Sequence, residues 1–504
     1  MESLMNLLAG FVTAFSTQNL LYCFIGVLLG TIVGVLPGLG GVTTMVLLLP
    51  LTYTMDSATA IIMLAGVYYG SMYGGSTTAI LMNMPGESPA MVTTFDGYKM
   101  AKKGRAGAAL AISAYGSFFA GTVGVVGIML FSPFLANAAL RFGPPEFFAI
   151  SVLGFILLSN LTGKSFLRSL LMVLVGIMLG TIGIDPIAGY QRFIFGVTDL
   201  SRGIEMSVVT IAVFGLSEIL LTAAEKFDPA SLIKVKVREM YPNREELKRS
   251  VAPIMRGSLI GFFIGLIPGP AAIMSTLASY AVEKKVSKHP EQFGNGAIEG
   301  VAGPESANNA ASSGAFVPLL ALGLPFAPAA AILLSGLTIQ GITPGPLFIS
   351  QNQGLFWALI ASMYIGNVML LILNLPLVPV FASLVKIPPR ILMPIVAVIS
   401  FCGAYSMNNS SFDLWLLIIF AVVGTVMKIA GFDAAPLIVG LVLGPEIESS
   451  LRRSLVMSKG SFMSVVTRPI SGTILLIAVI YLVFSAVGKY RKKNRKTCEK
   501  GETT

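Results

Sequence analysis

The run Gly303-Pro304-Glu305-Ser306-Ala307-Asn308-Asn309-Ala310-Ala311-Ser312-Ser313-Gly314 sets a carboxylate, hydroxyls and two adjacent amides inside a small-residue, otherwise apolar stretch. Oxygens of this kind are the hard ligands an alkali cation prefers. A carboxylate or an amide pair in an apolar environment is costly unless it has a partner or a task, so Glu305, Ser306, Asn308 and Asn309 form the candidate set for a coupling cation such as Na⁺. Two further clusters suggest a complementary chemistry: Gly40-Gly41-Val42-Thr43-Thr44 and Gly74-Gly75-Ser76-Thr77-Thr78. Small residues leave backbone N–H groups accessible, and a helix that restarts after a break aims its positive end into the gap, which attracts a carboxylate without a buried lysine. The plain alternative is close packing, since Gly, Ser and Thr at such spacings also line helix contacts in membranes. Asp56, Glu87 and Glu299 are the other carboxylates near these elements; Glu87, after Pro85-Gly86, reads equally well as a helix cap or an ion ligand.

The elements that must position these groups are interrupted helices, and the interruptions occur twice. Gly34-Val35-Leu36-Pro37-Gly38-Leu39-Gly40-Gly41 is echoed by Gly265-Leu266-Ile267-Pro268-Gly269-Pro270. Pro-Gly both removes a helical donor and permits non-helical backbone. Gly74 to Pro85 can likewise be laid without gaps on Gly314 to Pro325. Matching broken segments in two halves point to a transporter's substrate site, because unwound backbone at membrane depth survives where it lines a cavity. Candidate substrate contacts are therefore Gly38, Gly40, Gly41, Thr43 and Thr44 at the first break and Gly269, Pro270 and Ser275 at the second. Ser76, Thr77, Thr78, Asn83, Asn308 and Asn309 complete that set.

Composition agrees. Of 504 residues 55% are hydrophobic and 12% charged, against about 25% charged in soluble domains. A soluble globule is excluded. There are about ten to twelve apolar stretches of the roughly 20 residues needed to cross a bilayer, so the expected fold is an all-α polytopic membrane protein of two inverted repeats with Pro-Gly-broken or re-entrant segments. Three scattered cysteines and a single histidine, His289, exclude a thiolate metal site, a histidine-ligated centre and a Ser-His-Asp triad. No Walker A pattern is present, so no cofactor is expected and energy should come from an ion gradient. The start, Met1-Glu2-Ser3, lacks a basic n-region, and the first apolar segment is expected to be retained.

Charge sorts the loops. Residues 1–224 form the first repeat, 225–256 a basic polar linker, 257–488 the second repeat, and 489–504 a basic tail expected in the cytoplasm. The tail is an orientation signal touching lipid, with no nucleic-acid role. Leu51 to Ser57 and the stretch from Pro325 to Gly345 carry no basic residue, whereas the loop after Pro85 has Lys99, Lys102, Lys103 and Arg105, and the loop after the second break has Lys284, Lys285 and Lys288. Equivalent loops thus fall on opposite faces, as inverted repeats require. Because the linker is basic too, residues 257–281 read either as a re-entrant hairpin with its tip at Pro268-Gly269 or as a discontinuous spanning helix.

At Gly34–Gly41, at Tyr69-Gly70-Ser71-Met72-Tyr73-Gly74-Gly75-Ser76-Thr77-Thr78 with Asn83-Met84-Pro85-Gly86-Glu87-Ser88, and at Gly300–Asn309, the chain resembles the TctA family, the large membrane subunit of bacterial tripartite tricarboxylate transporters. The resemblance covers almost the whole chain. It implies a multi-pass inner-membrane protein, not an enzyme, that works with a small membrane subunit. It also implies that a carboxylate arrives from a periplasmic solute-binding protein and that uptake is coupled to a cation gradient. The substrate class is a small di- or tricarboxylate such as citrate. The rival readings are a passive anion channel and a non-transporting scaffold subunit.

Overall fold

The computed structural model describes residues 2–36, 40–83, 85–161, 166–185, 188–223, 241–377, 380 and 389–483. Pro37, Gly38, residues 224–240, which take in the first half of the linker, and residues 484–504, the basic tail included, lie outside them. Among the described residues helices dominate: α1 (Glu2–Ala14), α2 (Thr17–Val35), α3 (Gly40–Leu48), α4 (Ser57–Met82), α5 (Thr93–Met100), α6 (Ala106–Ala139), α7 (Pro144–Leu161), α8 (Phe166–Gly180), α9 (Met206–Thr210) and α10 (Ser217–Ala223). Then follow α11 (Arg244–Gly265), α12 (Ala271–Val286), α13 (Glu299–Gly314), α14 (Phe316–Leu322), α15 (Pro328–Ile339), α16 (Phe348–Gln351), α17 (Gln353–Asn374), α18 (Pro389–Asn408), α19 (Ser411–Ile429), α20 (Ala434–Met457) and α21 (Met463–Thr467). Gly183–Ile184 (β1) and Gln191–Arg192 (β2) form one short antiparallel pair.

Five described helical stretches, Thr17–Val35, Thr93–Ala139, Gln353–Asn374, Ser411–Ile429 and Ala434–Met457, are long and apolar enough to cross a membrane, and several shorter apolar helices accompany them. This is the all-α membrane fold expected. Local signals set the ends. Asp56 caps α4 by accepting from the Thr59 amide, and Asn243 with Glu246 forms a capping box at the start of α11. Asn83, in the left-handed conformation, closes α4 shortly before Pro85.

The chain divides into two units. Met1–Ala139 with Glu205–Ala430 makes the larger; Leu140–Ile204 with Gly431–Thr504 makes the smaller. In the smaller unit, buried Asp185 beside the β pair is held by Arg452 at 2.7 Å and Arg192 at 3.5 Å, and Arg468 reaches Glu146 at 3.3 Å.

The larger unit is built on two glycine ladders. A methyl group added at Gly26, Gly30 or Gly34 of α2 would strike the backbone carbonyl of Met63, Val67 or Ser71 of α4. The same holds for Gly257, Gly261 and Gly265 of α11 against Gly303, Ala307 and Ala311 of α13. Contacts that advance together along both chains mean each pair runs parallel, in backbone contact that Gly alone permits. The alignment that sets Gly34 on Gly265 sets the glycines of one ladder on those of the other, and the alignment that sets Gly74 on Gly314 does the same for the carbonyls they meet. α4 and α13, matched by the alignment of Gly74 on Gly314, cross antiparallel: Tyr68 near the start of the contact meets Ser312, and Ser76 further along meets Glu305.

The second break is a helical hairpin. Arg256, midway along α11, donates to Glu283 near the end of α12 at 2.9 Å, so the chain reverses through Ile267–Pro270, where Gly269 has φ 134°. The loops also meet as their charges sort them. Gln340 donates to the Thr52 carbonyl at 2.6 Å and lies 3.2 Å from the Ser57 hydroxyl, joining the two non-basic loops, while Lys99, Lys102 and Lys284 from the basic loops line one cavity.

Candidate ion and substrate site

Glu305, on α13 of the larger unit, has 1% of its surface exposed. Its carboxylate accepts the hydroxyls of Ser76 on α4 and Thr93 at the start of α5, and Ser113 on α6 adds a third hydroxyl. Three helices thus converge on one buried charge. Asn309, one turn on, donates to Ser117 of α6 at 2.7 Å and to the Glu305 carbonyl at 3.0 Å. Asn308 is fully buried, and neither amide atom has a hydrogen-bond partner. An orphaned amide of this kind carries a desolvation cost of about 1–3 kcal/mol that a bound ion or water would relieve. Nearby, a void of about 20 Å³, large enough for one water, is lined by Tyr69, Tyr73, Asn309, Ser312, Ser313 and Asn367. The Tyr69 hydroxyl is likewise unpartnered.

The partners of Glu305 are all hydroxyls. A hydroxyl can donate to a bare carboxylate or rotate and present lone pairs to a cation, so the same cage suits either state. Among the described residues no three His, Cys, Asp or Glu side chains converge, and Glu305 is the carboxylate these hydroxyls surround. Ser306 does not face it: its hydroxyl returns to the Ala302 carbonyl at 2.8 Å, on the side where Gly116 of α6 approaches.

Glu87 occupies the first break. Its carboxylate accepts the Gly41 amide at the start of α3, with the Ser71 hydroxyl beside it, and its backbone rests against Gly75 so closely that a methyl group there would sit 3.0 Å from it. The helix end that could take a substrate carboxylate is here filled by the protein's own, whose charge the amide and the dipole balance. Thr43 and Thr44 are turned to the Phe214 and Gly40 carbonyls at 3.1 and 3.2 Å, and Thr78 to Gly75 at 3.3 Å; Thr77 is buried. At the second break the Gly269 amide donates to Phe326 at 3.2 Å, Ser275 to the Ala307 carbonyl at 3.1 Å, and Pro270 begins α12 without a side-chain cap. The structure therefore gathers Ser76, Asn309 and Glu305 and leaves Asn308 adjacent in sequence and unpartnered; Gly38 lies outside the described residues. The alignment that sets Gly74 on Gly314 pairs Glu305 with Ala65 and Glu87 with Ala327, so each half carries one acidic side chain that the other lacks.

Thr93, Ser113 and Ser117 escaped the reading from sequence, since single hydroxyls in a loop and in an apolar helix carry no pattern. Asp96 escaped it too. It is fully buried and accepts the amides of Gly294, Gly296 and Ala297 at 2.7–2.8 Å and the Tyr280 hydroxyl at 2.9 Å, which ties α5 to the loop ahead of α13.

Glycine-laddered, apolar helices around a buried carboxylate are those of a polytopic membrane protein. Residues 20–439 match the model of the tripartite tricarboxylate transporter TctA family, and the chain belongs to that family. It is 46% identical over 496 residues, 98% of this chain and 99% of the relative, to an uncharacterized 52.8 kDa protein in the TAR-I ttuC' 3' region of Agrobacterium vitis. An uncharacterized protein in the TAR-II ttuC' 3' region of the same organism is 44% identical over 46% of this chain and 96% of its own length. No solved structure matches. The family places the chain as the large membrane subunit of a tripartite system, which includes a small membrane subunit and a periplasmic binding protein.

Proposed function

We propose that this subunit imports a small di- or tricarboxylate such as citrate by secondary active transport, coupled to Na⁺ at Glu305. The observation that carries the reading is a fully buried carboxylate whose partners are all hydroxyls, beside an amide with no partner. A structural carboxylate would be expected to take fixed donors, as Glu87 takes an amide; rotatable hydroxyls suit a charge that is neutralised and released in turn. Two inverted repeats within a bacterial inner membrane, with the basic loops and the tail cytoplasmic, are supported by the antiparallel crossing of α4 and α13 and by the pairing of like loops. The periplasmic binding protein would supply the substrate, and the small membrane subunit would complete the assembly.

The test is reconstitution with the small subunit, the binding protein and a panel of labelled carboxylates, with and without an imposed sodium gradient. Uptake against a concentration gradient that needs inward sodium is expected. Passive equilibration independent of any cation would replace the reading with a channel; absence of flux for every carboxylate would leave a scaffold.

A further inference from the structure

We infer that the open cavity of about 600 Å³ between α5 and α12 is a binding site for a small polycarboxylate, its charge matched by Lys99, Lys102 and Lys284. The choice of polycarboxylate rests on the transport reading above; the site itself rests on geometry. The volume falls within the roughly 300–1,000 Å³ of small-molecule sites, and its walls combine three cations with rigid aromatic rings. Tyr280 packs edge-on to Phe95 and Phe293, with ring centroids 5.6 and 5.3 Å apart, and its hydroxyl is fixed on Asp96. Lys102 sits over Tyr98 at 4.8 Å.

Two neighbouring basic groups, Lys103 and Arg105, are committed elsewhere. Lys103 donates to the Asn295 carbonyl at 2.6 Å, and Arg105 pairs with Glu246. Asp96, behind the wall, spends its oxygens on three amides and a phenol, and Glu283, next to Lys284, is paired with Arg256, so neither is left to neutralise the lysines. Three lysines from two elements around one concavity attract an anion with several charges far more than one with a single charge. Long flexible stems with compact ammonium heads suit carboxylates spread over a small carbon frame better than one planar pair would.

The cavity also adjoins the Glu305 cage. Thr94 and Phe95 line it, and the preceding residue, Thr93, holds Glu305; Asn83, at the end of the helix that carries Ser76, lines it as well. The seat for the anion and the cage for the cation thus share α4 and α5.

Citrate binding to the full chain, purified with its small subunit in nanodiscs of zwitterionic lipid, tests this by calorimetry, alongside uptake in the reconstituted system. K99Q/K284Q should raise the citrate Kd about tenfold, K99R/K284R should stay within about threefold, and acetate should not compete. Lys103→Gln serves as a neighbouring control and should bind as the parent does. Unchanged citrate affinity in K99Q/K284Q overturns the site. Equal loss in the Arg pair also overturns it, since that marks a structural role. If nanodiscs containing phosphatidylglycerol abolish citrate binding in the parent, the lysines serve lipid headgroups and the inference falls. Sodium-driven uptake that persists unchanged in K99Q/K284Q leaves the transport reading intact while removing the cavity. Citrate binding that depends on the lysines in a protein without sodium-driven uptake does the reverse.

Discussion

Ser76 and Glu305, 229 residues apart in the chain, are hydrogen-bonded to one another in the interior of the larger unit. The contact joins the two segments that the internal alignment and the residue chemistry single out separately. It makes the Gly-Gly-Ser-Thr-Thr cluster of α4 and the Asn-rich run of α13 parts of one site.

Glu305→Gln should abolish the sodium dependence of uptake while leaving the protein assembled, because shape is kept and charge removed. Ser76→Ala deletes one hydrogen bond to a charged group, worth about 1.5–3 kcal/mol, and should raise the half-saturating sodium concentration about tenfold or more. Asn308→Ala and Asn309→Ala should shift it in the same direction. Uptake kinetics at varied sodium and fixed citrate read all four. Wild-type sodium dependence in Glu305→Gln would reduce Glu305 to a structural residue.

Glu87 should behave as a cap. Glu87→Ala leaves the Gly41 amide without a partner and removes a negative charge from the start of α3, a loss of about 1–2 kcal/mol, while Glu87→Gln should lose less. Thermal unfolding followed in detergent measures both. A sodium-dependence shift in Glu87→Gln without loss of stability would assign it to the ion instead.

The ladders predict a steep penalty for the smallest possible change. Gly30→Ala and Gly261→Ala drive a methyl group into the Val67 and Ala307 carbonyls. Each should cost more than the about 1–3 kcal/mol of ordinary overpacking, because backbone cannot step aside. Gly354→Ala on α17 meets open space and should be tolerated. Yield of folded protein by fluorescence-detected size exclusion separates them.

Loop pairing predicts sidedness. In a variant with Cys23, Cys402 and Cys498 replaced by Ser, Thr54→Cys should react with an impermeant maleimide from the periplasmic face and Lys103→Cys from the cytoplasmic face. Labelling of both from one side would refute the inverted arrangement.

Much of the larger unit was legible because its signals are covalently local. Pro-Gly pairs announce the interval between α11 and α12, and the absence or presence of lysine sorts loops that the structure joins. The ladders escaped the reading from sequence although glycine stands at every fourth position of 26–34 and 257–265, because their meaning depends on a partner helix that spacing alone does not identify. Thr93, Ser113 and Asp96 could not be found that way, since each matters only through residues more than a hundred positions distant. The grouping of 140–204 with 431–504 has the same character: Asp185 meets Arg452 across a gap no periodicity spans.

The glycine ladders have a mechanical consequence. Where one helix rests on another's carbonyls through bare Cα atoms, no side chain at the contact can change rotamer and ease a slide. Contacts that recur every fourth residue would be regained only after a shift of four residues, about 6 Å at the helical rise of about 1.5 Å per residue. The α2–α4 and α11–α13 pairs are therefore stiff struts with widely spaced stops, and in the second pair bending is left to the turn beyond Gly265, where the ladder ends.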